Sequence, residues 1–156
     1  MHNLILKNTF KRMISMSNVL FTSSVTAVGG REGKVQSPEG AINLDIAMPG
    51  TPRAKSLPSA TNPEQLFAAG YAACFDGALQ FMARSERVKF ESQVTANVSL
   101  IKDETDQGFK LGVTLQVKGT GIERAVLEDL VQKAHHFCPY SKATRGNIEV
   151  TLEIVE

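Results

Sequence analysis

The sequence predicts an α+β domain built on antiparallel sheets, with strand and helix patterns in the order βββ, α, ββ, α, β. Segments with alternating apolar residues lie at the start, in the middle and at the end of the chain, as strands with one buried face require. Two longer segments between them carry apolar residues at helical spacing. The 156 residues are typical of one domain, and we expect residues 17–156 to form it.

The first third of the chain predicts a three-stranded sheet followed by a loop. Residues 19–28 are rich in β-branched side chains and form the first predicted strand. Residues 29–33 contain three glycines and predict a turn, after which residues 34–37 predict a short returning strand. Apolar and polar residues alternate over 42–46, which predicts a third strand. Residues 49–61 contain three prolines among small polar residues and predict a long loop.

A long helix is predicted to begin at Pro63. Asn62 can accept a hydrogen bond at the N-cap, Pro63 suits the first helical position, and Glu64 places negative charge in the first turn. Small and apolar residues then cover most of the helix surface as far as Arg84. We therefore expect this helix at the centre of the fold, buried beneath the other elements.

The second half of the chain predicts two strands, a helix and a last strand. Alternating apolar residues mark strands over 93–101 and 109–117. An amphipathic pattern marks a helix over 122–136, and the chain then breaks at Cys138 and Pro139. The final predicted strand covers residues 147–155.

Composition argues against several classes of function. The formal net charge is +1, too small to attract nucleic acid or an anionic membrane surface. No uninterrupted apolar run approaches the roughly 20 residues that span a bilayer. Two cysteines are too few for a secreted disulfide scaffold and fit a reducing compartment. Two distant cysteines and one adjacent histidine pair do not supply the ligands of a closed zinc site, so no metal is expected.

Residues 1–16 form a separate N-terminal extension. They contain three Lys or Arg residues, and the first acidic residue of the chain is Glu32. This composition resembles an organelle transit peptide, which would direct the protein to the mitochondrial matrix. The alternative is a loose tail or an upstream start codon, since Met16 could itself begin the protein.

The two cysteines lie in different surroundings. Cys74 lies within an apolar, alanine-rich helical run, whereas Cys138 stands at the end of the second helix, directly before Pro139. Such a pair is either packing material or a two-thiol redox couple. Cysteine is among the most often buried residue types, so packing stays open for both. In a redox couple, Cys74 would be the buried thiol and Cys138, in a polar and loop-like stretch, the mobile one.

A reactive Cys74 needs a cation, because the thiolate is the nucleophile and an apolar site raises the pKa of a thiol. Arg31, in the glycine-rich turn, is the candidate cation. Its guanidinium could point at Cys74 while the carboxylate of Glu64 binds it through two hydrogen bonds. Taken singly, Arg31 could also be a solvated turn residue, and Glu64 a favourable charge at the helix N-terminus.

Three motifs resemble those of one known family. Residues 61–75, TNPEQLFAAGYAACF, are similar to the first-cysteine signature of the organic hydroperoxide resistance (Ohr) proteins, a branch of the OsmC-like superfamily. Residues 138–147, CPYSKATRGN, are similar to the second-cysteine signature, and residues 26–33, TAVGGREG, to the N-terminal one. The resemblance runs from about Met16 to the C-terminus.

The resemblance implies an OsmC-like fold and an intertwined homodimer with active sites at the subunit interface. It also implies a thiol peroxidase of the bacterial cytoplasm that uses no metal or other cofactor. By motif matching, Cys74 is expected to be the peroxidatic thiol and Cys138 the resolving thiol. Arg31 is expected to activate the thiolate and Glu64 to orient Arg31. The expected reductant is a lipoyl dithiol, either on a lipoylated protein or as dihydrolipoamide.

The implied substrate is a fatty-acid or alkyl hydroperoxide. An apolar pocket beside Cys74 would favour a hydrocarbon tail, since each buried methylene contributes about 0.8 kcal/mol. The predicted pocket residues are Leu66, Phe67, Tyr71, Phe75 and Phe81. Two alternatives remain: an OsmC-type peroxidase of the same superfamily, and a non-catalytic dimer that binds an apolar ligand and keeps both cysteines for packing.

Overall fold

Two three-stranded sheets and four α-helices make up residues 18–156, the part of the chain that the structure, a computed structural model, describes. The strands are β1 (Thr26–Val28), β2 (Lys34–Gln36), β3 (Asn43–Asp45), β4 (Glu91–Lys102), β5 (Phe109–Thr120) and β6 (Val150–Val155). The helices are α1 (Pro52–Ser56), α2 (Pro63–Ser85), α3 (Arg124–Phe137) and α4 (Pro139–Thr144). The predicted α+β class is confirmed, and the predicted extension of residues 1–16 lies outside the described residues.

The N-terminal sheet is an antiparallel meander of β1, β2 and β3, in which Val35 lies between Ala27 and Leu44. A tight turn joins β1 to β2. A Cβ atom on Gly33 would lie 1.7 Å from the carbonyl oxygen of Val28, so this position needs glycine.

The first strand is much shorter than predicted. Residues 19–25 run ahead of β1 without a pairing partner in the described part of the chain. The side chains of Leu20 and Phe21 are 94% and 82% exposed. The β-branched composition of this segment matched a strand, but one chain supplies no neighbouring edge for it.

The second sheet has the order β4–β5–β6. The strands β4 and β5 pair antiparallel over twelve residues each. In contrast, β6 pairs parallel to β5, with Leu152 opposite Leu115, so the expectation of antiparallel pairing throughout is wrong for this strand. The chain returns from β5 to β6 through α3 and α4, and a connection of that length permits parallel pairing.

The long helix α2 begins as predicted, because the Asn62 side chain accepts a hydrogen bond of 2.8 Å from the backbone N–H of Gln65. It packs against β4 and α3 through a core that includes Tyr71, Phe75 and Leu79, all fully buried. By length and hydropathy it is also the helix among the described residues that could cross a bilayer, a test that core helices of soluble proteins pass equally.

Two helices form where loops were predicted. In the proline-rich segment, Thr51 caps α1 by accepting a hydrogen bond from the Ala54 N–H. After the second cysteine, α4 starts at once with Pro139 at its first position, where proline needs no N–H donor. Proline keeps Cys138 out of the helical region, at φ −58° and ψ 126°, so this cysteine forms a sharp kink between α3 and α4.

Candidate active site

The two cysteines meet inside the fold. The Sγ atoms of Cys74 and Cys138 lie 3.5 Å apart, although 64 residues separate them in sequence. Cys74 projects from the middle of α2, and Cys138 occupies the kink before α4. Both thiols are free, and the sulfurs are in direct contact. A small movement would bring them to the 2.05 Å of a disulfide bond.

The exposure of the two thiols is the reverse of what the sequence suggested. Cys138 is fully buried, at 0% exposure, whereas Cys74 is partly exposed. Cys138 therefore does not lie in a mobile loop, as its polar neighbours had predicted. It belongs to the buried core cluster that also contains Tyr71, Phe75 and Leu130.

Burial raises the pKa of the Cys74 thiol, which opposes formation of the thiolate. The backbone N–H of Tyr140 acts in the other direction and lowers the pKa, and neighbouring Cys138 raises it again. No described cation is among these influences. A single chain thus brings the two sulfurs into contact without a cation that lowers the pKa of Cys74.

Arg31 and Glu64 form a bidentate ion pair at the N-terminal end of α2. Arg31 donates from Nη1 to Oε2 at 3.0 Å and from Nη2 to Oε1 at 2.7 Å. These hydrogen bonds lower the pKa of the Glu64 carboxyl and raise that of Arg31. Ten residues of helix separate Glu64 from Cys74, a rise of about 15 Å. Arg31 is not among the groups that shift the pKa of Cys74 within one chain, and the expected approach of its guanidinium to this thiol stays a prediction.

The five predicted pocket residues occupy three different environments. Tyr71 and Phe75 are fully buried in the core, and Leu66 is partly buried. Phe67 packs edge-on against Tyr71, with ring centroids 6.0 Å apart. Phe81 is half-exposed and stacks on Phe137, with centroids 4.8 Å apart, two turns beyond Cys74.

A mainly apolar groove of about 710 Å³ opens beside α4. Of the predicted pocket residues, only Phe67 lines it. Its other apolar walls come from β5, α4 and the segment before β6, and they are Phe109, Leu111, Pro139, Tyr140 and Ile148. Neither cysteine lines this groove, which adjoins the sulfur pair through Pro139 and Tyr140, the two residues that follow Cys138.

Sequence reasoning missed a set of hydroxyl groups beneath the sulfurs. Ser141 and Thr144 on α4 are buried and contact the hydroxyl of Tyr71, and Ser141 also contacts His135. The available signal was a buried tyrosine on an apolar helix, since such a hydroxyl needs a partner. Within residues 18–156, no group of three or more His, Cys, Asp or Glu side chains could hold a metal ion.

Comparison with known proteins identifies the family. The model of the family described as OsmC-like protein matches residues 55–153. Over 141 residues the chain is 72% identical to the organic hydroperoxide resistance protein OhrA of Bacillus subtilis (strain 168), an alignment that covers 90% of this chain and 100% of that protein. The chain belongs to the Ohr group of the OsmC-like family. The resemblance seen in the three motifs is thereby confirmed.

Other Ohr proteins agree in sequence and in structure. The organic hydroperoxide resistance protein of Xanthomonas axonopodis pv. citri (strain 306) is 43% identical over 146 residues, covering 91% of this chain and 99% of that protein. The crystal structure of OhrB of Bacillus subtilis superposes with a TM-score of 0.83 at 52% identity, covering 88% of this chain and 100% of that one. The predicted OsmC-like fold is confirmed.

Proposed function

We propose that this Ohr protein is a cysteine-based peroxidase that reduces fatty-acid or alkyl hydroperoxides to alcohols. The observation that carries the proposal is the 3.5 Å contact between the sulfurs of Cys74 and Cys138. Two thiols at this distance can pass between dithiol and disulfide with little movement of the backbone. The hydroperoxide resistance named in the relatives supports an organic hydroperoxide as the oxidant.

The proposed cycle has three steps. The Cys74 thiolate attacks the distal peroxide oxygen, the O–O bond breaks, and with one proton the products are an alcohol and a sulfenic acid on Cys74. The Cys138 sulfur then displaces the sulfenic hydroxyl, which leaves as water with the Cys138 proton and gives a disulfide. An external dithiol restores both thiols and is itself oxidised. Atoms and electrons balance without a metal or other cofactor.

Exposure supports Cys74 as the first thiol to react. Cys74 is a partly exposed residue that a peroxide from solution can approach, whereas Cys138 has no exposed surface. Cys138 is already in contact with Cys74, so it can resolve the sulfenic acid without a large rearrangement. These positions suit the peroxidatic and resolving roles.

We propose that a homodimer supplies the missing cation. Along α2, the exposed positions Gln65, Ala69, Ala73, Gly77 and Phe81 recur every four residues and form one stripe. A Cβ atom added to Gly77 would meet nothing within 4 Å, so this face is unoccupied in one chain. Small residues on such a stripe allow a second helix to approach closely.

The spacing along α2 agrees with this arrangement. Glu64 and Cys74 each lie five residues from Ala69, on opposite sides of it. If two copies of α2 pack antiparallel with their centres at Ala69, Glu64 of one copy lies level with Cys74 of the other. Both residues lie about 140° around the helix from Ala69, so equal height alone does not bring them together. We propose that the Arg31 side chain, held by Glu64, spans the remaining distance to that sulfur and lowers its pKa. Each active site would take its thiols from one chain and its cation from the other.

The groove beside α4 is the proposed site for the hydrocarbon tail of the substrate. Phe67, Phe109 and Tyr140 give it apolar walls, and burial of each methylene contributes about 0.8 kcal/mol. We keep Phe67 in the proposed pocket and assign Tyr71 and Phe75 to the core beneath it, because neither has exposed surface to offer a ligand.

The proposed reductant is a lipoyl dithiol on a lipoylated protein or free dihydrolipoamide. This part rests on the family resemblance, together with the need for a two-electron donor in the third step. A chain with only two cysteines fits a reducing compartment, and we propose the bacterial cytoplasm.

Titration of thiols tests the proposal. Free thiols are counted before and after one equivalent of cumene hydroperoxide, and again after dihydrolipoamide is added. We expect two thiols per chain to disappear and to return with the reductant, while Cys74→Ser protein consumes no peroxide. Full retention of both thiols would instead indicate a non-catalytic dimer that binds an apolar ligand. The 72% identity to OhrA disfavours the OsmC-type alternative.

A further inference from the structure

A buried set of hydrogen bonds joins the two helices that carry the thiols. The Tyr71 hydroxyl on α2 lies 3.0 Å from Ser141 Oγ and 3.2 Å from Thr144 Oγ1, both on α4. Ser141 Oγ also lies 3.0 Å from Nδ1 of His135 on α3. Thr144 Oγ1 donates to the backbone carbonyl of Ser141 at 3.1 Å. Tyr71, Ser141 and Thr144 are almost completely buried, so these groups have no solvent partner.

Counting the available protons fixes which group donates in each of these hydrogen bonds. The carbonyl of Ser141 can only accept, so the single proton of the Thr144 hydroxyl is used there. Thr144 Oγ1 must then accept from Tyr71, and the Tyr71 oxygen must accept from Ser141. The proton of Ser141 is thereby used, and its oxygen accepts from Nδ1–H of His135. Burial and the nearby charges of Arg145 and His136 lower the pKa of His135, which favours the neutral ring. The hydrogen-bond count then assigns the single ring proton to Nδ1.

Two members of this hydrogen-bonded set lie equally close in sequence to the two cysteines. Tyr71 precedes Cys74 by three residues on α2, and Ser141 follows Cys138 by three residues on α4. Because Cys138 forms the kink between α3 and α4, its position depends on how both helices are held. The set holds α4 to α2 through Tyr71 and to α3 through His135.

We propose that His135, Ser141, Tyr71 and Thr144 act as positioning residues that keep Cys138 within reach of the oxidised Cys74. This inference rests on the proposed peroxidase cycle and adds residues that set the speed of its second step. The sulfenic acid on Cys74 has two possible fates. Attack by Cys138 gives the disulfide and water, whereas a second hydroperoxide oxidises the same sulfur to a sulfinic acid and is reduced to an alcohol. Positioning of Cys138 decides between them.

The test measures the partition between these two products. Parent, Ser141→Ala and Thr144→Val proteins are treated with excess cumene hydroperoxide without reductant, and the disulfide and the Cys74 sulfinic acid are quantified by mass spectrometry. We expect the sulfinic fraction to rise about tenfold in both variants, since small displacements of reacting groups slow a reaction strongly. Val117→Ala, a change in the buried sheet, serves as a control for general loss of stability.

A matched pair of variants at His135 tests whether its Nδ1–H donates to Ser141. In His135→Asn the side-chain amide nitrogen can take the place of Nδ1, whereas in His135→Gln it takes the place of Nε2. We expect Asn to keep the sulfinic fraction close to that of the parent and Gln to raise it as much as Ser141→Ala. A residue that only fills space would not separate these two amides.

The outcomes separate this inference from the proposed function. If the parent protein forms no Cys74–Cys138 disulfide, the proposed peroxidase cycle is wrong. If the parent forms the disulfide and Ser141→Ala gives the same partition, the cycle stands and the positioning role is wrong. A rise of the same size in Val117→Ala would also overturn the positioning role, because loss of stability alone would then account for it.

Discussion

Arg31 donates two hydrogen bonds to Glu64, which lies 33 residues later in the chain, and this pairing fixes the guanidinium at the N-terminal end of α2. The pair is therefore formed within one chain, about 15 Å along the helix from the Cys74 of that chain. The proposed role of Arg31 is to lower the pKa of Cys74, and this role requires a second copy of the chain. Because Arg31 is proposed to act on Cys74 of the other copy, loss of the cation and loss of the dimer should both reduce activity.

Replacement of Arg31 should affect activity far more than stability. The Arg31 and Glu64 side chains are 43% and 14% exposed, and a partly exposed pair of this kind contributes about 1 kcal/mol to the free energy of unfolding, so Arg31→Ala should unfold close to the parent temperature. The rate of peroxide reduction should fall at least tenfold. Arg124→Ala, which removes a more exposed Arg–Glu pair with Glu128, serves as the control for loss of an arginine ion pair. A rate for Arg31→Ala within about twofold of the parent would exclude this account of activation.

The pH dependence of the rate should shift in the same variant. Burial raises the pKa of Cys74, and the thiolate fraction falls about tenfold for each unit by which the pKa exceeds the pH. In Arg31→Ala the rate should therefore keep climbing with pH beyond the range in which an ordinary thiol titrates. The parent should reach its plateau at lower pH, since the cation of the second copy lowers the pKa. Identical pH profiles for the two proteins would contradict the proposed cation.

A charge on the exposed stripe of α2 should break the dimer. Ala73→Arg places a long cation at the proposed helix contact, where the second copy would have no room for it. Light scattering after size exclusion should show a monomer with an unchanged circular dichroism spectrum, and peroxidase activity should be lost. Ala125→Arg on the exposed face of α3 is the matched control. A dimer that persists in Ala73→Arg would place the interface elsewhere.

The two cysteine variants should fail at different steps. Cys74→Ser should leave hydroperoxide unreduced. Cys138→Ser should still reduce about one equivalent per chain and then accumulate sulfenic acid on Cys74, detectable by a dimedone adduct. Dimedone labelling of Cys138 in the Cys74→Ser protein would reverse the assigned roles.

The groove should set the preference for long substrates. Phe67→Ala removes one apolar wall, so the ratio of kcat/KM between a long-chain and a short-chain hydroperoxide should fall several-fold. Phe81→Ala should leave that ratio unchanged, because Phe81 stacks on Phe137 outside the groove. The opposite result would favour the pocket predicted from sequence, which included Phe81.

Much of the fold follows from local patterns in the sequence. The Asn62 cap and Pro63 fix the start of α2, and alternation places β4 and β5. The direction in which two strands pair does not follow from local patterns. Alternating residues reveal which face of a strand is buried but not which strand lies next to it. The parallel arrangement of β6 depends on α3 and α4, so the strand itself carries no sign of it.

The site was only partly predictable for a similar reason. The motifs identified both cysteines and the Arg31–Glu64 pair, whose contacts follow from charge. Pro139 predicts a break after the second helix, but proline at a first helical position also starts a helix, as it does for α4. The burial of Cys138 results from α4 folding onto distant aromatic residues of α2, which no local pattern records.

The complete burial of Cys138 has a consequence for how the disulfide of the proposed cycle would be reduced. A thiolate must approach a disulfide in line with the bond it breaks, and only the Cys74 side of the bond faces outward. The incoming reductant would therefore form its mixed disulfide with Cys74 and expel Cys138 as the leaving group into the protein interior. The burial of Cys138 would thus determine which sulfur the reductant attacks. Cys74 would react first with the hydroperoxide and later with the reductant.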